Sequence, residues 1–241
     1  RVAEELALLD CITGGRVIAG FPVGSPMDAV FAYGQNPALL REKYYESVAF
    51  IKKAWTADKV FSFNGNYTKL RYVNCWPRPV QKPHPPIWIP GGSSVDTWDY
   101  CIENDSVYLF LSYFGYQAAE RVMHGYWSKV RELRREPNPF SAGFVQFVGV
   151  AETEKEALEI YREPAEYFFN RSLHIHPRFA DPPGYKSVKT VRAGLEGMVE
   201  RAAREASARV ETPGNAGVTL SARTFNALTF DTMVEKGYVV V

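Results

Sequence analysis

The sequence is short of the residues that build metal and disulfide frameworks. It holds three cysteines and four histidines in 241 residues. Cys11, Cys75 and Cys101 are isolated and form no CxxC, so reduced, buried or half-buried thiols in a cytoplasmic setting are expected. His174 and His176 share one side of an extended stretch. No Cys, Asp or Glu stands at a ligand spacing from them, so no metal site is expected. His84, between prolines, reads as a loop residue, and His124 as a helix-surface residue. No apolar run approaches the about 20 residues of a membrane span. Basic blocks and acidic tails are lacking and the net charge is +1, which argues against nucleic acid as a partner. Also missing are a GxGxxG opening a helix after a strand, a Gly-x-Ser-x-Gly elbow and a Cys-His arrangement. The acidic groups Glu4-Glu5 and Glu152, Glu154, Glu156 fall on helices or at their starts. There they face solvent or the helix dipole rather than forming an acid–base pair.

What is present is an ordinary globular composition, 46% hydrophobic and 23% charged, with 14 Tyr, 15 Phe and 5 Trp. The length suits one large domain or two small ones. Apolar spacing predicts a helix over residues 1–12 with Val2, Leu6, Leu9 and Ile12 on one stripe. Arg16–Phe21 reads as a short strand buried on both faces. A helix follows over about 37–56, with Leu40, Tyr44, Val48, Ile51 and Trp55 as its buried stripe. Residues 60–70 read as a hairpin on an Asn64-Gly65 turn. After a Pro-rich connection come a strand at Ile87–Ile89, a helix at 96–104, a strand at Val107–Leu111 and a helix at 117–135. A strand at Phe144–Ala151 and a helix to about Asn170 follow. Residues 171–190 read as loop, 191–209 as helix, 210–222 as loop or short strand, and 230–236 as a short helix. Alternating buried strands and helices imply a parallel sheet with right-handed crossovers, open or closed. The chain opens without Met as if inside a helix, and Gly237–Val241 stops as if inside a strand. An internal piece of a longer protein is therefore expected: one domain over 1–241, truncated at both ends.

Two glycine-containing turns could carry chemistry. Gly91-Gly92-Ser93-Ser94 lies between a strand and a helix. Free N–H groups and the dipole of a helix N-terminus attract phosphate, glycines allow close approach, and Ser93, Ser94 and Thr97 add hydroxyls. Plain capping by Ser94 or Asp96 accounts for the same residues. Gly20–Ser25 lies at the C-terminal end of a strand, where parallel α/β folds bind ligands, although a turn that needs glycine explains it equally.

Several stretches, in order, resemble the bacterial luciferase-like, flavin-dependent monooxygenase family. They are Arg1–Glu5 with Leu9-Asp10, Gly14–Val17, Ala19–Phe21, Asn36-Pro37 with Arg41 and Glu46, Phe61–Phe63 with Gly65, and Val73-Asn74. After these come Trp76–Gln81 and Pro83–Trp88, running into Gly91–Ser94. The Trp-Pro-Arg-Pro-Val-Gln to Pro-Pro-Ile-Trp stretch is the most specific; residues 171–225 match weakly. The resemblance implies an α/β (β/α)₈ TIM barrel, incomplete here, with an inserted hairpin. Val17–Phe21, Ile87–Pro90, Val107–Leu111 and Phe144–Val150 would be strands four to seven. Strands one to three would lie before Arg1 and the eighth after Val241.

By the same resemblance, flavin mononucleotide (FMN) would be bound through its phosphate by Gly91, Gly92, Ser93, Ser94 and Thr97, with Val23, Gly24 and Ser25 from the neighbouring loop. Some members carry an Arg at the Val23 position for the phosphate; this sequence lacks it, which removes one charge contact. Tyr113 would sit near the flavin ring and substrate, although packing at a strand end explains it as well. The family's catalytic residues fall on the absent early strands. The implied reaction uses reduced FMN and O₂ to oxygenate a small organic substrate, with a separate flavin reductase as a partner and a homo-oligomeric full-length protein. A deazaflavin-dependent hydride-transfer enzyme on the same barrel is the alternative. An inactive truncated fragment or interaction module is another. A sugar-active barrel with Trp76, Trp88 and Trp98 as stacking platforms lacks a carboxylate pair.

Overall fold

A computed structural model describes residues 1–172, 177–207 and 229–241, without the side chains of 177–178 and 200–207. The expected loop or strand at 210–222, and His174 and His176, lie outside the described residues.

Four strands form a parallel sheet in the order β1 (Ala19–Gly20), β4 (Ile87–Gly91), β5 (Val107–Phe110), β6 (Ala142–Phe144). Ala19 pairs with Ile87, Trp88 with Val107 and Tyr108 with Ala142. Helices follow the strands in the expected alternation: α2 (Leu40–Thr56), α3 (Val95–Glu103), α4 (Tyr116–Glu132) and α5 (Glu154–Tyr167). The strand expected over Arg16–Phe21 narrows to two paired residues, because β4 offers β1 only Ile87 and Trp88 as partners.

The strand expected at Phe144–Ala151 changes neighbours partway. β6 pairs with β5, whereas β7 (Phe147–Val148) pairs in parallel with β8 (Val239–Val240). Between them Gln146 donates through Nε2 to the carbonyls of Phe147 and Tyr238, each at 3.1 Å. Such staggering of partners is what a sheared, curling parallel array produces. Just before β8 the backbones of Gly115 and Gly237 meet so closely that a Cβ on Gly115 would overlap the Gly237 carbonyl. Both glycines have positive φ, 78° and 67°.

The hairpin is present as β2 (Phe61–Asn64) and β3 (Lys69–Val73), but not on a two-residue Asn-Gly turn. Asn64 pairs with Lys69, so the loop is the four residues 65–68. The physical reason is the Glu46 carboxylate, which accepts backbone N–H groups from Asn66 at 2.6 Å, Tyr67 at 3.1 Å and Thr68 at 2.7 Å. Three successive donors curved around one anion need a wider loop than a tight turn provides.

Helix α1 (Val2–Thr13) exists as expected, but its buried face is Ala3, Ala7 and Asp10. Val2, Leu9 and Ile12 of the expected stripe stand exposed. Small residues let α1 approach α2, where the Trp55 indole donates to the Ala3 carbonyl at 2.8 Å. Asp10, fully buried, accepts from the backbone N and side-chain Nε2 of Gln81 at 2.9 and 2.7 Å. The helix α2 follows its predicted stripe, with Val48, Ile51 and Trp55 buried. The expected loop over 171–190 holds a short helix, α6 (Pro177–Ala180), after a π turn at Phe168–Ser172. It leads into α7 (Val188–Ser207), and α8 (Phe230–Glu235) precedes β8.

One core packs α1 to α4 on the sheet around Trp55, Ile89, Tyr108 and Tyr126. A second gathers Phe169, Phe230, Met233 and Tyr238 near β7 and β8. All three cysteines are free thiols, Cys75 and Cys101 buried and Cys11 half-buried. No helix among the described residues is long and apolar enough to cross a membrane.

Candidate functional site

Parallel pairing of β1 with β4 brings their C-terminal ends to one edge of the sheet, and with them the two glycine-containing turns. Gly91 ends β4, and Gly92 and Ser93 are exposed. The fully buried Tyr108 donates its hydroxyl to the Gly92 carbonyl at 2.6 Å. In a trans peptide the carbonyl and the next N–H point opposite ways, so the Ser93 N–H is turned away from Tyr108, toward the open side. A Cβ on Gly92 would meet nothing within 4 Å, so the backbone here lies bare to an approaching group.

Ser94 occupies the N-cap position of α3, and its carbonyl accepts from Thr97 N at 3.0 Å and Trp98 N at 3.2 Å. Its hydroxyl makes no capping bond. It lies 3.2 Å from the Thr190 hydroxyl instead. Asp96 does not cap α3 either: its carboxylate accepts from the hydroxyls of Ser187 and, at 2.8 Å, Thr190. Simple capping by Ser94 or Asp96 therefore does not describe this turn. Thr97 is buried, and its Oγ1 accepts from Arg41 Nη1 at 3.4 Å. The Tyr45 hydroxyl reaches the Asp96 carbonyl at 3.4 Å.

On the neighbouring loop Gly24 has φ 99°, a value that favours glycine, and its carbonyl accepts from the Tyr185 hydroxyl at 3.0 Å. Ser25 Oγ accepts from Met27 N at 3.2 Å, closing a local turn. Val23 is half-buried. Tyr113, half-buried past β5, has its ring contact with Phe168, centroids 6.4 Å apart, and burial raises its phenol pKa. It is not joined to the glycine-serine turn by a ring contact. Tyr44 donates to the Phe21 carbonyl at 2.7 Å, and burial, then the neighbouring Tyr100, raises its pKa. Tyr100 is itself pushed up to about 12 by burial first and Tyr45 second. Tyr44 thus remains a protonated donor to the Phe21 carbonyl.

The site thus offers an exposed glycine backbone, the N-terminus of a nine-residue helix, three hydroxyls and a guanidinium. Its one carboxylate is engaged by α7. This donor set suits an anion. Arg41, Tyr108, Tyr185, Ser187 and Thr190 were not among the sequence candidates. Arg41 had a signal: it shares a helix face with Tyr45 and Val48, and a cation beside a buried stripe calls for a partner. The other four become visible only when strands and loops distant in sequence are brought together. Among the described residues no cluster of His, Cys, Asp or Glu is placed to hold a metal ion.

Comparison with known proteins agrees with this architecture. The profile of the luciferase-like monooxygenase family matches residues 1–224, and the chain belongs to that family. It is 37% identical over 95 residues to an FMNH(2)-dependent dimethylsulfone monooxygenase of Pseudomonas putida, covering 38% of this chain and 26% of that protein. Over 176 residues it is 23% identical to the oxygenase component of a flavin-dependent trigonelline monooxygenase of Acinetobacter baylyi, covering 70% of this chain and 47% of the relative. In fold it resembles the oxygenating constituent of 3,6-diketocamphane monooxygenase from Pseudomonas putida, solved with FMN. The TM-score is 0.59 at 21% identity, over 84% of this chain and 56% of that one. It also resembles an F420-dependent secondary alcohol dehydrogenase, with a TM-score of 0.55 at 16% identity, over 86% of this chain and 66% of that one. The fold is therefore that of the luciferase-like TIM barrel, of which this chain carries a part. The chain spans less than half the length of these curated relatives.

Proposed function

We propose that this chain is the phosphate-binding part of a flavin-dependent monooxygenase that uses reduced FMN and O₂ to oxygenate a small organic substrate. The observation that carries the reading is the Arg41 guanidinium beside the buried Thr97 hydroxyl, in the first turn of a helix whose N-cap serine side chain makes no capping bond. A charged donor and free helix N–H groups at one point suit a dianion better than a neutral ligand.

In this reading Gly91, Gly92 and Ser93 present backbone to the phosphate, and Tyr108 holds the Ser93 N–H outward. Thr97 and Arg41 supply side-chain donors, Ser94 stands at the N-cap with its hydroxyl turned aside, and Arg41 provides the charge that Val23 does not. Gly24 and Ser25 close the other side. Tyr113, backed by Phe168, shields the ring end from water with apolar surface. When bound, the reduced flavin supplies the electrons with which one oxygen atom of O₂ enters the substrate and the other leaves as water. The trigonelline relative is named an oxygenase component, which supports a separate reductase as partner. We also assign the whole protein a homo-oligomeric state and a reducing, cytoplasmic setting, in keeping with its free thiols.

The test is titration of the chain with FMN and with riboflavin, which lacks the phosphate, followed by flavin fluorescence. Wild type is expected to favour FMN, and Arg41→Met to lose about tenfold in FMN affinity with riboflavin unchanged. Equal affinity for both flavins in the wild type rejects the reading. The likeness to a deazaflavin-dependent dehydrogenase supports a second reading, hydride transfer by a deazaflavin held at the same turn. O₂ consumption by the reduced full-length enzyme favours the first reading, and its lack the second.

A further inference from the structure

The segment from α6 into the first turn of α7 touches both candidate turns at once. Tyr185 donates to the Gly24 carbonyl on one side. Two residues on, Ser187 reaches the Asp96 carboxylate, and Thr190 reaches both Asp96 and Ser94 on the other. The direction of the last bond follows from proton counting. A threonine hydroxyl has one proton, and Thr190 gives it to Asp96 Oδ2 at 2.8 Å. In the 3.2 Å contact with Ser94, Thr190 is therefore the acceptor and Ser94 the donor. The result is a one-way chain, Ser94 to Thr190 to Asp96, ending on a carboxylate that also receives Ser187.

This chain explains why an N-cap serine leaves its cap unmade. Serine at this position ordinarily turns its oxygen back onto the first-turn N–H groups of its own helix. Here the Ser94 hydroxyl is drawn toward α7. We propose that Thr190 is a positioning residue for the cofactor phosphate: by holding the Ser94 side chain off the N-terminus of α3, it keeps the Val95 and Asp96 N–H groups open to the anion. The inference rests on the phosphate reading of this turn. It adds a contribution from the segment after α5, the part of the chain whose sequence matched the family least.

Without the Thr190 hydroxyl, the Ser94 oxygen rotates inward and competes with phosphate for the same donors. A restored cap leaves α3 no less stable, so the variant loses ligand affinity without losing stability. Loss of a purely structural contact would lower both.

The experiment compares wild type, Thr190→Val, Thr190→Ser and Ser187→Ala in the 241-residue chain. FMN and riboflavin affinities, melting temperature, and amide hydrogen exchange at Asp96 and Thr97 are measured for each. Thr190→Val is expected to lose about fivefold in FMN affinity, the weight of one cap hydrogen bond. Its riboflavin affinity and melting temperature hold, and exchange slows at Asp96 but changes little at Thr97, whose N–H already bonds the Ser94 carbonyl. Thr190→Ser restores the wild-type ratio. Ser187→Ala removes a donor to Asp96 and also the acceptor of the Thr190 N–H at 3.1 Å, so it loosens Thr190 and lowers the ratio part of the way toward Thr190→Val. An unchanged ratio of FMN to riboflavin affinity in Thr190→Val overturns the role of Thr190. So does a parallel loss of both flavins with a lower melting temperature. A wild type that binds both flavins alike overturns the phosphate reading beneath it, whatever exchange shows.

Discussion

The Glu46 carboxylate fills the space that a side chain at Gly65 would need: a Cβ there would stand 2.6 Å from Glu46 Oε1. The acid of α2 and the glycine of the hairpin loop are one device. The loop curls over the carboxylate and offers it the N–H groups of Asn66, Tyr67 and Thr68. Tyr67 also reaches Glu42, one turn earlier, at 2.5 Å.

A pH dependence follows. Desolvation pushes the Glu46 pKa up, but the backbone bonds from Tyr67, Thr68 and Asn66 outweigh it and hold the pKa below the usual carboxylate value. A group with a depressed folded pKa contributes stability above its unfolded pKa, about 4.3 for Glu, and loses it as pH falls through the folded value. The hairpin is expected to loosen below about pH 4. Glu46→Gln should lower the melting temperature at neutral pH and flatten its fall in acid, read by thermal melts across pH 3–7.

The Asp10–Gln81 pair makes a second prediction. Gln81→Leu keeps the backbone N–H that bonds Asp10 but takes away the side-chain donor of this fully buried carboxylate, and with it the amide bond to the Val17 carbonyl at 2.8 Å. A loss of about 3 kcal/mol is expected in denaturant unfolding. Asp10→Asn, which keeps an acceptor for one of the two donors, should cost about half as much. Equal losses would show that the charge, not the pairing, matters.

Tyr108→Phe keeps the buried ring and removes only the bond to Gly92. About 1 kcal/mol of stability should go with it. FMN affinity should fall about threefold while riboflavin binding stays level. Retained FMN affinity would mean that the turn holds its shape without the tyrosine.

The thiols make a fourth prediction. Burial pushes Cys101 up to about 12 and raises Cys75 as well. Both are inaccessible and uncharged at neutral pH. A thiol reagent should label Cys11 alone in the folded chain and all three cysteines after denaturation. Mass spectrometry of the labelled peptides checks it.

Much of the alternation was legible in the residues, because β4 and β5 are short apolar runs between amphipathic helices. The stripe of α2 was legible for the same reason. The face of α1 was not: Leu and Ile at helical spacing suggest burial, whereas packing against α2 favours the small Ala3 and Ala7 and a hydrogen-bonded Asp10. The Trp76–Gln81 stretch was legible as a family mark but not as a mechanism. Its Gln81 ties α1 to Val17, just ahead of β1, and its Arg78 reaches the Ala57 carbonyl beyond α2. The glycine-serine turn was identifiable from spacing, yet its hydroxyl network was not, since Thr190 lies 96 residues from Ser94. Side chains that meet across such separations leave no periodic trace in sequence.

The contact between Gly115 and Gly237 bears on protein engineering. The loop after β5 carries Tyr113, and if the proposed function holds, a library aimed at substrate preference would begin there. Two residues beyond Tyr113 the chain touches the turn before β8 backbone to backbone, with no room for even one methyl group. Randomisation that includes Gly115 or Gly237 would mostly yield misfolded clones, and Phe114 packs against Tyr238 beside the joint, whereas diversity confined to Tyr113 leaves it intact. The pair sets the boundary of the designable loop.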